Sequence, residues 1–142
     1  MFSREESKQI REQFWIFFEK RYPRKWLLYD TKVKEINLKF SFDNQKAMVS
    51  FDIETHDEVF REYYYDKFVS LKNLLKAEIS EDIIIEKDFL RSSGKIISRV
   101  YITKPDVNIH NKKNWPEVFD FFYENMPMFE LFWYEYEDII KA

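Results

Sequence analysis

The chain has 142 residues with a hydrophobic fraction of 45%, which predicts one folded domain with a sizeable core. Its single glycine excludes glycine-rich phosphate loops, and its lack of cysteine excludes disulfides, thiol nucleophiles and cysteine-based zinc sites. The net charge is −3, but residues 1–46 carry a balance of +4 and residues 47–142 a balance of −7. The charged N-terminal segment lacks a signal-peptide core and no apolar run approaches the ~20 residues of a membrane span, so we expect a cytoplasmic protein.

A first helix is predicted to start at Ser3 and to end before Pro23. The series Ser3-Arg4-Glu5-Glu6 is a capping box, in which the serine hydroxyl and the Glu6 carboxylate each accept a backbone N–H. Pro23 ends the helix because the residue before a proline disfavours helical geometry. Apolar side chains repeat at the three-to-four spacing of one helical face, at Ile10, Phe14, Phe17, Phe18 and Tyr22.

Three strands are predicted next, at Trp26–Tyr29, Lys34–Phe42 and Lys46–Thr55. The last two alternate apolar and polar residues, and Asp43-Asn44-Gln45 between them suits a tight turn, so they predict an antiparallel hairpin. Each strand of the hairpin then has an apolar face toward the core and a polar face toward solvent. The side chains expected to face solvent on its second strand are Met48, Ser50, Asp52 and Glu54.

A long helix and a second hairpin are predicted in the middle of the chain. Asp57 caps the helix, which ends near Ile79-Ser80. Ile83–Glu86 and Lys95–Thr103 are strands, and Arg91-Ser92-Ser93-Gly94 is the turn between them. Both faces of the second of these strands are apolar, which is typical of a central position in a sheet.

The C-terminal part of the chain is predicted to be helical. Asn114-Trp115-Pro116-Glu117 places a side-chain acceptor at a helix cap, a proline in the first turn and a glutamate at the N3 position. Pro127 either kinks the helix or separates two helices. The predicted fold is a single α+β domain over residues 1–142, with a largely antiparallel sheet of about five strands packed by helices. The predicted order of elements is α-β-β-β-α-β-β-α-α.

One series of carboxylates offers metal-dependent chemistry. The order helix, three strands, helix, strand also occurs in nuclease cores, where two carboxylates bind Mg²⁺ and a lysine orients the attacking water. Here the corresponding residues are Asp43 and Glu54-Thr55-His56, with histidine in place of the lysine. Asp52 and Glu54 share a strand face, but strand alternation also produces such pairs without any function. Asp52, Glu54 and His56 are therefore weak catalytic candidates, and no metal or cofactor is predicted.

Two groups of polar residues are candidate binding sites. The first is a basic cluster that could contact nucleic acid, although such clusters are more often solvated surface. Its members are Lys20, Arg21, Arg24 and Lys25. The second group contains polar residues that the predicted turns, caps and strands do not explain, and its members are Arg99, Asn108 and Asn111. His110, in the same polar connection, is expected to be solvent-exposed.

The ordered series of local patterns resembles a bacterial family, the domain of unknown function numbered 4268. The resemblance covers nearly the whole chain and is carried by Ser3-Arg4-Glu5-Glu6-Ser7, Arg11-Glu12-Gln13-Phe14-Trp15, the first hairpin, the Tyr64–Leu75 helix, Ile97-Ser98-Arg99-Val100-Tyr101, Val107-Asn108-Ile109, Asn114-Trp115-Pro116 and Phe132-Trp133. It implies a compact α+β module that occurs alone or as a C-terminal partner of nuclease-like domains. It implies no catalytic residues, and it keeps a role near nucleic-acid processing or defence open.

The sequence leaves two hypotheses about function. The leading one is a non-enzymatic domain that acts by protein–protein contact, with a homodimer as one form of that contact. It is based on Tyr63-Tyr64-Tyr65 and Trp133-Tyr134-Glu135-Tyr136, which place aromatic rings on more than one face of a helix. The alternative is a nucleic-acid-binding or degenerate nuclease-like domain that uses the basic cluster together with Asp52 and Glu54.

Overall fold

Four antiparallel strands form one open sheet in the order β1-β2-β4-β3, and helices cover one of its faces. The computed structural model describes residues 2–142. Its elements are α1 (Arg4–Arg21), β1 (Ile36–Phe42), β2 (Lys46–Ile53), α2 (Glu58–Ser70), α3 (Lys72–Glu78), β3 (Ile84–Leu90), β4 (Ile96–Pro105) and α4 (Trp115–Lys141), with one 3-10 turn at Lys112–Asn114. This architecture confirms the predicted α+β class, and β4 has the central position that its apolar faces indicated.

The hairpin of β1 and β2 confirms the prediction made from alternation. Asp43 closes its turn, because the Asp43 carboxylate accepts the backbone N–H groups of Gln45 and Lys46 at 2.8 and 2.9 Å. The apolar side chains of both strands lie on the face that the helices cover. Those that are fully buried there are Ile36, Leu38, Ala47, Val49, Phe51 and Ile53.

The strand predicted at Trp26–Tyr29 is wrong, because this segment is part of an irregular loop. Leu28 and Lys32 have φ angles of 39° and 69°, in the left-handed region that an extended strand does not use. The Leu28 carbonyl nevertheless accepts the N–H of Leu38 at 2.9 Å, so the loop covers part of the free edge of β1. The sheet therefore has four strands rather than about five.

The predicted helix order also needs correction. The long helix after the first hairpin is divided at Leu71, where ψ is 13° and the N–H bonds back to Phe68 and Val69. The last helix, by contrast, runs without interruption through Pro127. Packing of one α4 face against the sheet holds the helix together where a proline removes one backbone hydrogen bond. The observed order is α-β-β-α-α-β-β-α.

Local hydrogen bonds define the helix starts, with one departure from the prediction. The Ser3 capping box is confirmed, and so is Asp57, whose carboxylate accepts the N–H groups of Val59 and Phe60. Asn114 lies at the N-cap position of α4 as predicted, but its backbone is helical and its side chain makes no capping hydrogen bond. The Asn114 amide oxygen instead accepts the backbone N–H of Asn108 at 2.8 Å.

Aromatic side chains join the first and last helices over the sheet. The ring of Phe14 on α1 lies 4.9 Å from that of Phe42 on β1 and 5.3 Å from that of Trp115 on α4. On β2, the Phe51 ring lies 5.1 Å from that of Phe129 on α4. These contacts belong to one hydrophobic core, which links α1, the sheet and α4.

The second hairpin of the sheet contains a bulge, and its side chains contact the face that, within residues 2–142, carries no helix. Opposite β4, the pairing of β3 shifts between Glu86 and Phe89, so two residues of β3 face one residue of β4. Such a bulge bends its strand and increases the local twist. Gly94 completes the predicted turn at the tip with φ of 89°, where a side chain would be strained. Beyond the bulge, Phe89 contacts Arg99, and Arg91 and Lys95 contact Glu54.

Candidate functional site

A buried ion pair lies at the centre of the open face, which is the face of the sheet without helices. Asp52 on β2 is directly opposite Arg99 on β4. The Arg99 Nε and Nη2 atoms donate to the two Asp52 carboxylate oxygens at 2.7 and 2.8 Å, and Ser50 donates to Asp52 at 2.8 Å. This bidentate geometry satisfies both charges, which is the condition for burying them. Asp52 is 1% exposed and Arg99 is 5% exposed.

The expectation that this face of β2 is in contact with solvent is therefore wrong for its first three members. Met48, Ser50 and Asp52 are all buried. β2 is an inner strand, and Phe89 and Arg91 of the second hairpin contact Arg99 and Glu54 on this face. Sequence alternation distinguishes the two faces of a strand, but it does not show that a neighbouring hairpin will cover the second face. Glu54, the fourth member, is only partly buried.

Glu54 ties the tip of the bent hairpin to the end of β2. Its carboxylate accepts a hydrogen bond from Arg91 and lies 3.3 Å from the Lys95 ammonium. Partial burial by itself would raise the pKa of Glu54, but the charges of Arg91, Lys95 and Lys39 outweigh burial and hold the pKa below its ordinary value. Glu54 is thus a charged anchor for the hairpin tip.

Phe89 and Tyr101 cover the ion pair from the side of β3. The Phe89 ring lies 4.3 Å from the Arg99 guanidinium carbon and 5.6 Å from the Tyr101 ring. The Tyr101 hydroxyl donates to Glu86 at 2.8 Å. Burial, together with this hydrogen bond and the charge of Glu86, raises the pKa of Tyr101 to about 12. Phe89, Tyr101 and Glu86 therefore form a packed, hydrogen-bonded layer beside the ion pair.

A cleft of about 350 Å³ opens beside this layer, between β1 and the bent hairpin. We call it the basic cleft, because the charged side chains that line it are Lys39, Lys46, Arg91, Arg99 and a single carboxylate, Asp43. Phe89 and Met48 contribute apolar surface to the same cleft. The cleft thus combines cations with an apolar wall, which suits a ligand that carries negative charge.

One end of the Arg99 guanidinium is poorly satisfied at the cleft. Among residues 2–142, the acceptor for Arg99 Nη1 is the thioether sulfur of Met48, at 3.6 Å. A thioether is a weak acceptor, whereas buried guanidinium N–H groups normally have oxygen partners. Because Arg99 also lines the basic cleft, an oxygen atom in the cleft could complete its hydrogen bonds.

The weak catalytic candidates do not form a common centre. Asp52 is bound to Arg99, Glu54 to Arg91 and Lys95, and His56 is exposed in the connection between β2 and α2. Within residues 2–142, no three His, Asp or Glu side chains come close enough together to hold a metal ion. Asp52 lies in β2 and Glu54 directly follows it, and each carboxylate is paired with its own cation.

The second group of predicted binding residues is split between two regions. Arg99 lies at the basic cleft, whereas Asn108 and Asn111 lie in the connection between β4 and α4. The Asn108 amide oxygen accepts the backbone N–H of His110 at 2.9 Å, and that of Asn111 accepts the N–H of Lys113 at 3.1 Å. Both asparagines thus hold their own loop in shape.

His110 in this loop is only partly exposed, contrary to expectation. Its Nε2 atom lies 3.0 Å from the Ser7 hydroxyl and its Nδ1 atom lies 3.2 Å from the Asn108 amide oxygen. The Asn108 amide oxygen can only accept, so His110 donates to it from Nδ1, and Nε2 shares a second hydrogen bond with the Ser7 hydroxyl. The Phe2 ring stacks on the imidazole at 4.9 Å. These contacts tie α1 to the loop.

The basic cluster at the end of α1 is divided between solvent and a structural ion pair. Lys20 and Arg21 are exposed. Arg24 binds the buried Glu130 of α4 at 2.8 Å and covers the Trp26 ring at 3.9 Å. Glu130 also accepts the backbone N–H of Leu27 at 2.7 Å, so this pair shapes the loop before β1. Lys25 lies 3.8 Å from Asp30 and remains exposed.

Sequence reasoning missed four residues that line the basic cleft. They are Lys39, Lys46, Arg91 and Phe89. The first two were visible as polar positions on one face of the first hairpin, but their approach to Arg91 depends on the bulge in β3. Nothing in the local pattern of residues 83–90 indicates that two residues of β3 pair with one residue of β4. The approach of Lys39 and Lys46 to Arg91 therefore could not be predicted from the sequence.

The fold and site define an α+β domain with an open antiparallel sheet, a buried ion pair on its open face and a cationic cleft beside that pair. A family model described as a domain of unknown function (DUF4268) matches residues 10–137, so the chain belongs to this family and the resemblance is confirmed. No curated protein and no solved structure matches the chain. In the part that the structure describes, no helix is long and apolar enough to cross a membrane.

Proposed function

We propose that the domain is a non-enzymatic binding module that recognises an acidic segment of a partner protein in the basic cleft. The observation that carries the proposal is the charge of the cleft lining in residues 2–142, where Lys39 and Lys46 lie with one carboxylate, Asp43, while Arg91 and Arg99 are paired with Glu54 and Asp52. An acidic segment would neutralise these cations, and its apolar atoms would contact Phe89 and Met48. The proposal keeps the protein-contact hypothesis and names the surface and the charge of the partner.

The state of the nearby carboxylates supports binding rather than catalysis. Asp52, Glu54 and Glu86 each have a hydrogen-bond donor from a side chain of the same face. A general base needs a carboxylate that can reach a substrate proton. Because these three carboxylates are already engaged, the open face offers donors to a ligand and few acceptors.

The extent of the positive charge favours a protein partner over nucleic acid. Nucleic-acid sites usually track several phosphates along a groove and interleave cations with exposed aromatic rings. Here the cations converge in one cleft of about 350 Å³, and Tyr101 on the same face is buried. The outer surface of α4 is acidic and would repel a nucleic-acid backbone, with Asp120, Glu124, Glu135 and Asp138 exposed.

The proposal is tested by fluorescence anisotropy with three labelled probes: a poly-glutamate peptide, a poly-glutamine peptide and a single-stranded oligonucleotide. We expect poly-glutamate to bind, poly-glutamine not to bind, and the affinity for poly-glutamate to fall as salt is added. The double variant Lys39→Gln/Lys46→Gln should weaken binding about tenfold, because it removes two cations from the cleft. Lys72→Gln, at an exposed position on α3, is the matched control.

Absence of poly-glutamate binding at low salt would overturn the proposal. Tighter binding of the oligonucleotide, with the same sensitivity to the double variant, would replace the proposal by the nucleic-acid alternative.

A second copy of the chain is one acidic partner to examine, because the outer surface of α4 is acidic. Light scattering of the wild type and the double variant decides this case, since a dimer held by the cleft should dissociate in the variant.

A further inference from the structure

We infer that the floor of the basic cleft is an oxyanion site, at which Arg99 donates hydrogen bonds to one carboxylate or phosphate-type group. The inference rests on the proposed function, because it names the group that a partner would insert. It also has a test of its own, since a small anion can occupy the site without any partner.

The donor at this site is the Nη1 atom of Arg99. The Arg99 side chain is 6% exposed, and its Nε and Nη2 atoms are committed to Asp52. In residues 2–142, the Nη1 N–H groups have the Met48 sulfur as their acceptor, at 3.6 Å, and Arg99 is one of the residues that line the cleft. An oxyanion would give these groups the strong acceptor that the protein does not supply.

The guanidinium is fixed before any ligand arrives. Asp52 holds it from one side with two hydrogen bonds, and the Phe89 ring covers its face at 4.3 Å. Ser50 in turn donates to Asp52 at 2.8 Å and fixes that carboxylate. An anion therefore meets an ordered donor, and binding requires little further ordering of side chains.

The surrounding charges decide whether an anion is attracted. Asp52 neutralises most of the charge of Arg99, so Arg99 supplies hydrogen bonds more than net charge. Lys39 and Lys46 supply the net charge of the cleft, and the opposing carboxylate in the lining is Asp43, 3.7 Å from Lys46. We therefore expect the anion to contact Arg99 and to lie between the two lysines.

Nuclear magnetic resonance of the arginine side chains tests the site directly. The probes are sodium phosphate and sodium acetate, with sodium chloride at the same ionic strength as the control. We expect the Arg99 Nε and Nη signals to shift with a saturable dependence on phosphate or acetate, and not on chloride. Lys39→Gln/Lys46→Gln should weaken this binding about tenfold, whereas Lys72→Gln should leave it within about threefold.

A shift of the Arg99 signals that is linear and equal for all three salts would overturn the inference.

Three peptides distinguish the sources of the oxyanion: one with an internal glutamate and an amidated C-terminus, one with a free C-terminus and no acidic side chain, and one with a phosphoserine. If the small anions bind Arg99 but poly-glutamate does not bind, the site stands and the proposed function fails. If poly-glutamate binds without moving the Arg99 signals, the function stands and this inference fails.

Discussion

At the scale of single residues, the Asp52–Arg99 pair is the most demanding feature of the open face. Both groups are nearly excluded from water, and each depends on the other for its hydrogen bonds. Removing one member of such a pair leaves an uncompensated charge in the interior, whereas removing both leaves two neutral groups. The pair therefore affects the free energy of unfolding mainly through the uncompensated buried charge that remains when one of its two members is removed.

Asp52→Ala should lower the free energy of unfolding by about 3 to 5 kcal/mol, because Arg99 is left buried without its carboxylate. The double variant Asp52→Asn/Arg99→Gln should lose clearly less than this, since neither of its side chains is charged. Urea denaturation followed by circular dichroism gives both values. A loss of less than about 1 kcal/mol for Asp52→Ala would show that water reaches the pair.

Tyr101 makes the open face sensitive to alkali. Its pKa is raised from 10.0 to about 12, so the neutral phenol is the favoured form in the folded state. The stability that this contributes is complete below pH 10 and is lost as the pH rises through about 12. We expect the unfolding free energy to fall across this window and Tyr101→Phe to reduce the fall. An unchanged pH dependence in Tyr101→Phe would contradict the assignment.

At the scale of secondary-structure elements, the bulge in β3 determines the shape of the site. It bends the hairpin of β3 and β4 so that Phe89 and Arg91 lie above the open face. A regular hairpin would continue the twist of the sheet and extend past its end. The basic cleft is therefore a product of an irregularity in one edge strand.

Deletion of Asp88 should remove the bulge and straighten the hairpin. Tyr101 would then lose part of its cover, and its pKa should fall from about 12 toward 10.0. Ultraviolet absorbance of tyrosinate across the alkaline range measures this shift. Asp88→Asn is the control, because it removes the same ion pair with Arg61 but keeps the residue count of the strand. Equal titration curves for the two variants would contradict this role of the bulge.

Elements that depend on nearby residues could be predicted from the sequence, and those that depend on distant contacts could not. The Ser3 capping box, the Asp57 cap and the turn at Asp43 are formed by residues within three positions of each other. The segment Trp26–Tyr29 is a loop rather than the predicted strand, and within it the Leu27 N–H donates to Glu130, which is more than 100 positions away. Arg99 was recognised as unexplained, but its partner Asp52 requires the register of β2 and β4.

At the scale of the whole molecule, one core joins α1, the sheet and α4. Phe14 contacts Phe42 on the sheet and Trp115 on α4, and Phe51 contacts Phe129. Because the same core includes the first and last helices, they should unfold together with the sheet. Tryptophan fluorescence and circular dichroism should therefore report the same denaturation midpoint.

Phe14→Ala should lower the free energy of unfolding by about 3 to 5 kcal/mol, because the ring is fully buried among other aromatic rings. Ile16→Ala, two positions away on the exposed side of α1, should cost less than about 1 kcal/mol. Both probes should shift together in Phe14→Ala. Separate midpoints for fluorescence and circular dichroism would show that α1 unfolds independently of the sheet.

The contact of α1 with α4 has a consequence for synthesis of the chain on the ribosome. The apolar face of α1 packs against a helix that begins at Trp115, more than 90 residues later. At an elongation rate of about 5 to 20 residues per second, roughly 5 to 20 s separate the emergence of the two helices. During this interval Phe14 and Phe18 lack their α4 neighbours, and we expect the nascent helix to be accessible to chaperones that bind aromatic segments.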